Sequence, residues 1–208
     1  MKNIILILFM SFASTLTFAQ KAEDYVLAGK NSLEKADVID AITQFNMAIE
    51  LDSKNKDAFY YRGLAKTKFE DYYGAMRDFN QVIELSPKHK RAYFERGNVK
   101  FQLQDFYGAI SDYSSAIELD DDMIEAYFQR GKAQQQISAY EEAILDCSRI
   151  LSLNPKNVDA LYLRGTLRVE FGQLQEGCLD LSKAGELGDL KAYELIRLNC
   201  NTKIRKDN

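Results

Sequence analysis

His89 is the only histidine in this 208-residue chain, and Cys147, Cys178 and Cys200 are its only thiols. Such residues can supply a general base, a nucleophile or a metal ligand, but each needs partners at a defined spacing. His89 follows Pro87 and Lys88 in a turn, with no Cys or carboxylate cluster at metal-ligand spacing nearby. Solvent exposure is expected for it. No glycine-rich phosphate loop, nucleophile elbow or histidine-based triad is present in the sequence. The 31 acidic residues fall at expected helix surfaces and starts, not in cleft-forming pairs. These residues predict neither an enzyme nor a metal or cofactor site.

A charged pattern does recur. Arg62, Arg96, Arg130 and Arg164 are each followed 16 residues later by Asp78, Asp112, Asp146 and Asp180. Arg and a carboxylate at fixed spacing can form a two-pronged ion pair. Pairing within each step (Arg62–Asp78, Arg96–Asp112, Arg130–Asp146, Arg164–Asp180) leaves every member matched. Pairing each Asp with the following Arg would strand Arg62 and Asp180. The competing reading is a row of basic residues awaiting an acidic ligand. An unpaired buried charge is costly, so the structural pairing is preferred. Ala28 and Gln44 occupy these columns in the first step.

Spacing this regular requires a repeated element to carry it. Gly29, Gly63, Gly97, Gly131 and Gly165 each lie 34 residues after the one before. Twelve residues beyond each stand Ala41, Ala75, Ala109, Ala143 and Gly177, and seven further on Ala48, Val82, Ala116, Ile150 and Ala184. Four before each glycine is a large side chain: Tyr25, Phe59, Tyr93, Tyr127 or Leu161. A 34-residue period with this order of large, Gly, Ala and Ala resembles the tetratricopeptide (TPR) family, whose unit is a helix-turn-helix. Pro87 and Pro155 stand in the family's proline column, while Ser53, Asp121 and Asp189 replace it elsewhere.

The resemblance implies an all-α, right-handed superhelical solenoid of five repeats, near 22–55, 56–89, 90–123, 124–157 and 158–191, within a domain spanning 20–200. First helices are expected near 22–35, 56–69, 90–103, 124–137 and 158–171. Second helices are expected near 38–51, 72–85, 106–119, 140–153 and 174–187. The small-residue columns mark where the two helices approach closely, and Asp37, Asp71 and Asp105 stand as caps where second helices start. No unit buries its apolar face alone, so stacking supplies stability. Residues 189–200 place Leu190, Tyr193, Ile196 and Cys200 on one stripe, as a capping helix would. Residues 201–208 are expected to be a loose tail.

The N-terminus differs from the rest. Lys2 precedes the apolar run Ile4–Met10, and Thr17-Phe18-Ala19 supplies the small residues of a signal-peptide cleavage site. Residues 1–19 are expected to be removed, giving a periplasmic or secreted protein with no integral membrane span in the mature chain. A retained anchor is the alternative, though the run is short for a span. Export would permit a Cys178–Cys200 disulfide stapling the cap to the last repeat. Cys147 shares the column of Phe45, Phe79 and Tyr113, so a buried small hydrophobe is expected there.

In the family the first helices line the concave face. Carried onto this chain, the fifth repeat position is Val26, Tyr60, Phe94, Phe128 and Tyr162. The ninth is Lys30, Leu64, Asn98, Lys132 and Thr166, and the twelfth is Leu33, Thr67, Phe101, Gln135 and Val169. The expected contacts are Lys30, Tyr60, Phe94, Asn98, Phe128, Lys132 and Tyr162, since aromatic anchors give large contact area. The alternative is that these rings only pack between helices. The resemblance thus implies a non-catalytic scaffold holding a protein or peptide partner, which the N-terminal signal segment would direct out of the cytoplasm. A glycan or other envelope polymer is the second possibility. The family's chaperone-tail clamp is not expected, because only Asn98 matches it. A net charge of −4 gives no basic excess for nucleic acid.

Overall fold

A computed structural model describes residues 19–200. The expected signal segment, save its last residue, and the tail from residue 201 lie outside the described residues. Among the described residues every regular element is helical. They are α1 (19–34), α2 (Val38–Leu51), α3 (Lys56–Lys68), α4 (Tyr72–Leu85), α5 (Lys90–Gln102), α6 (Phe106–Leu119), α7 (Ile124–Gln136), α8 (Tyr140–Leu153), α9 (Val158–Glu170), α10 (Leu174–Glu186) and α11 (Leu190–Asn199). The chain divides into two compact units, one ending at Val99 and one starting at Lys100.

In the first unit α3 packs on both α2 and α4. Its core joins Val26, Ala41, Phe45, Ala48, Ala58 and Ala65, with Leu33 and Tyr61 partly buried against them. The glycine column is explained by what faces it. A Cβ on Gly29 would lie 2.5 Å from Phe45 Cε1, and one on Gly63 would lie 2.8 Å from Phe79 Cε1. The aromatic ring, 16 residues on, occupies the space a side chain would need.

In the second unit α6 through α10 pack each on the next, and α11 packs on α10 and α9. Ile150, Leu151, Ala160, Leu161, Leu181, Ala184 and Ala192 form one buried cluster there. Here the glycine column relaxes at one point. Buried Cys147 stands where Phe45 and Phe79 stand in the first unit, and a Cβ on Gly131 would meet nothing nearer than 3.6 Å. Glycine within a helix costs roughly 0.5–1 kcal/mol relative to alanine. Gly131→Ala is therefore expected to stabilise the protein by about that amount in urea denaturation, while Gly63→Ala, which must displace Phe79, destabilises it. Equal midpoints for the two variants would refute this account.

Caps set where helices begin. Asp37, Asp71 and Asp105 accept from the backbone amides of Asp40, Gly74 and Gly108 at the starts of α2, α4 and α6. Ala139 and Gln173 make no such bond for α8 and α10. The first helices use another column: Asn55 accepts from Ala58 N–H and Asn157 from Ala160 N–H. His89 belongs to that column, its Nδ1 accepting from Ala92 N–H at 3.1 Å. The exposure expected of His89 is thus corrected. Its ring is half-buried, 5.0 Å from that of Tyr60, and burial pushes its pKa down, favouring the neutral ring an acceptor nitrogen requires.

The first helices stop one residue short of their expected bounds, at Lys68, Gln102, Gln136 and Glu170. Two residues beyond each end, Glu70, Gln104 and Ser138 adopt φ near +60° and Gly172 adopts +89°. This left-handed residue closes the last turn, as where Asp71 N–H donates to Lys66 C=O at 2.9 Å.

Candidate binding groove

The Arg and Asp columns meet between first and second helices of one repeat. Arg62 Nε and Nη2 donate to Asp78 Oδ2 and Oδ1 at 2.9 and 2.6 Å. Arg130 grips Asp146 at 2.8 and 2.7 Å, and Arg164 grips Asp180 at 2.8 and 2.8 Å. The carboxylates of Asp78, Asp112, Asp146 and Asp180 are all buried. Arg96 and Asp112, the remaining expected pair, fall in different units.

Two further features of this column escaped the sequence reading. A second cation one turn after the Arg also reaches the carboxylate: Lys66 Nζ lies 2.8 Å from Asp78, Lys100 Nζ 2.8 Å from Asp112, and Arg168 Nη1 2.6 Å from Asp180. The fourth repeat has neutral Gln134 at that position, and burial pushes the Asp146 carboxyl above its ordinary range despite Arg130. The third guanidinium nitrogen reaches back one repeat. Arg62 Nη1 donates to Asn46 Oδ1 and Arg96 Nη1 to Asn80 Oδ1, both at 2.7 Å, while Arg130 and Arg164 reach Ser114 and Ser148 Oγ at 2.9 and 3.0 Å. Arg62, Arg130 and Arg164 therefore each tie the second helix of the preceding repeat to that of their own.

A groove lies among the first helices, lined by other residues than the guanidinium column. In the first unit α1, α3 and α5 enclose a groove of about 480 Å³. Lys30, Leu33 and Glu34 line it from α1. Tyr61, Leu64, Thr67 and Lys68 line it from α3, and Glu95 from α5. The floor is apolar, and Glu34 and Lys68 stand exposed at the rim. Lys30 Nζ sits 4.1 Å over the Tyr61 ring in a cation–π contact. Volume and lining match those of ordinary ligand clefts.

The expected contact residues are dispersed. Lys30 lies in the groove. Tyr60 packs instead against Phe79, Tyr61 and His89, and burial pushes its hydroxyl up to about 12. Phe94 is only 7 % exposed and belongs to the core, as does Val26 in the same column. Asn98 donates its amide to Glu95 Oε2 at 3.0 Å. In the second unit Phe128 lines a smaller pocket of about 190 Å³ with Ile124, Glu125, Gln129, Asn157 and Asp159. Lys132 Nζ lies 5.5 Å from the Phe101 ring centroid and 6.0 Å from that of Phe128. Tyr162 packs partly buried against the cluster around Leu161 and Leu181. Tyr61 and Glu95, which the sequence reading passed over, share the sixth repeat position. The adjacent tyrosines Tyr60-Tyr61 were the one visible hint.

Elsewhere, no described helix is long and apolar enough to cross a membrane, and no metal-holding group of three His, Cys, Asp or Glu occurs among the described residues. Cys178 and Cys200 are joined by a disulfide between α10 and α11.

Paired helices on a 34-residue period, pressed together at glycine and alanine, define a helix-turn-helix repeat protein. The chain belongs to the tetratricopeptide-repeat family, and its fold class is the all-α solenoid of that family. Family descriptions match directly: "TPR repeat" over residues 97–138 and "Tetratricopeptide repeat" over 124–157 and 57–89. Among curated proteins none matches this sequence. Solved structures do resemble the fold. MamA from Desulfovibrio magneticus RS-1 is 20% identical with a TM-score of 0.76, covering 80% of this chain and 94% of MamA. YrrB, described as a TPR protein with an unusual peptide-binding site, is 21% identical with a TM-score of 0.74, covering 86% and 97%. The first TPR of Spaghetti (RPAP3), bound to an HSP90 peptide, is 25% identical with a TM-score of 0.57, covering 58% of this chain and 95% of that one.

Proposed function

We propose that this chain is a non-catalytic interaction scaffold, exported from the cytoplasm, that holds a peptide segment of a partner protein in the groove of α1, α3 and α5. The observation that carries this reading is the groove itself, an apolar floor with polar rim built from the first helices. Two of the similar structures are peptide-binding by their descriptions, YrrB and the Spaghetti TPR. The apolar run after Lys2, the small residues before Gln20 and the Cys178–Cys200 disulfide support export. A continuous aromatic ladder for glycan stacking is not favoured, because Val26 and Phe94 are buried.

The test is selection of a random dodecapeptide phage library on protein purified from its native envelope fraction, whose first residue is expected to be Gln20. Selected peptides are expected to bind Leu64→Arg about tenfold or more weakly, as for loss of a central apolar contact. Circular dichroism establishes that the variant is folded. Peptides that bind both proteins equally refute the groove. Binding only on a glycan array replaces the reading with a polymer-binding one. An N-terminus at Met1 refutes cleavage.

A further inference from the structure

Four charged residues line the groove, and they are not equivalent. Glu34 and Lys68 are exposed at the rim, where solvent and salt screen them. Lys30 is engaged with the Tyr61 ring. Glu95 alone is a partly buried anion. Its Oε2 accepts from Asn98 Nδ2 at 3.0 Å. Burial pushes this carboxyl above its usual range, with the Asn98 bond and the Arg91 charge opposing that shift more weakly. Arg91 is itself exposed, its guanidinium 6.0 Å over the Phe94 ring. The negative charge of Glu95 also helps raise the Tyr60 hydroxyl, second to burial.

A charge in a partly dry site acts through a lower dielectric than a rim charge, so it dominates discrimination between ligands. A partly buried carboxylate is best satisfied by a cationic donor, and a second carboxylate would be repelled by it. Leu33 and Leu64 offer apolar surface beside it, along which the stem of a long basic side chain can lie. We infer that the groove selects peptides with an Arg or Lys flanked by aliphatic residues, the cation seated against Glu95. This rests on the groove being the binding site, and it gives a preference opposite to that of a clamp for acidic tails.

The peptides selected above decide it. They are expected to be enriched in Arg or Lys beside Leu, Ile or Val. In the tightest of them, changing that basic residue to Ala is expected to weaken binding to the wild-type protein about tenfold or more. On Glu95→Gln, which keeps the shape and the Asn98 neighbour, the same peptide change is expected to have little effect. Fluorescence anisotropy of the four combinations reads the coupling between the two groups. Selected peptides that are acidic, or indifferent to their basic residue, overturn the inference while leaving the groove in place. Peptides whose basic residue matters equally on Glu95→Gln overturn the assignment to Glu95. A selection yielding no peptide, or none sensitive to Leu64→Arg, removes both.

Discussion

Asp78→Ala is expected to lower the unfolding free energy by about 3–5 kcal/mol, the cost of leaving buried charge without its partner. Asp78 is 3% exposed, and both Arg62 and Lys66 converge on it from partly buried positions of 17% and 16% exposure. Losing the carboxylate leaves two partly buried cations facing each other without their shared anion. Domains of this kind hold only about 5–15 kcal/mol in all, so the variant should be visibly unfolded at modest urea. The companion variant is Arg62→Met, Lys66→Met and Asp78→Leu together. With no charge left to strand, it is expected to recover most of the loss, since apolar replacement of a whole buried ionic group is often neutral. Urea denaturation of both decides the matter. Asp78→Ala unfolding with the wild-type midpoint would refute a central role for the column.

The second large effect concerns the C-terminal cap. Cys178 and Cys200 close a loop of sequence separation 22, and chain-entropy arguments assign such a link about 3 kcal/mol. Cys178→Ala with Cys200→Ala is expected to cost that much, and the loss should be local. Helix α11 packs only on α10 and α9 among the described residues. Its buried contact is Ala192, with Tyr193 lying over Gly185, where a Cβ would come within 2.9 Å of Tyr193 Cζ. Hydrogen exchange should quicken in α11 and the end of α10 while amides of α2 to α4 keep their protection. An α11 as protected as in the wild type would show that packing alone holds it.

What was legible in the sequence follows from what repeats. The helix pairs, the glycine and alanine contacts and the Asp37, Asp71 and Asp105 caps recur at one spacing, and recurrence needs no knowledge of rotation about the helix axis. The groove residues did need it. Neighbouring residues on a helix point about 100° apart, so the groove is lined by Tyr61 and Glu95 while the adjacent Tyr60 and Phe94 pack elsewhere. The position of His89 was obscured differently. Its column holds Asn55, Met123 and Asn157, and the shared capping role is visible only once the Ala92 amide is seen to point at its ring. The second cation of each Asp was hidden because Lys66, Lys100 and Arg168 change type, and Gln134 interrupts them.

The three-pronged arginine has a consequence for how the length of such a chain can change. Each of the last four 34-residue cassettes brings its own Arg and its own Asp, while the group it borrows from upstream is a neutral Asn or Ser. Copying or excising a whole cassette therefore never orphans a charge, and the only bond at stake is to a neutral group that water can satisfy. The first cassette carries Ala28 and Gln44 in place of the pair. A gene built this way can gain or lose units in single steps, each product electrostatically complete from the outset.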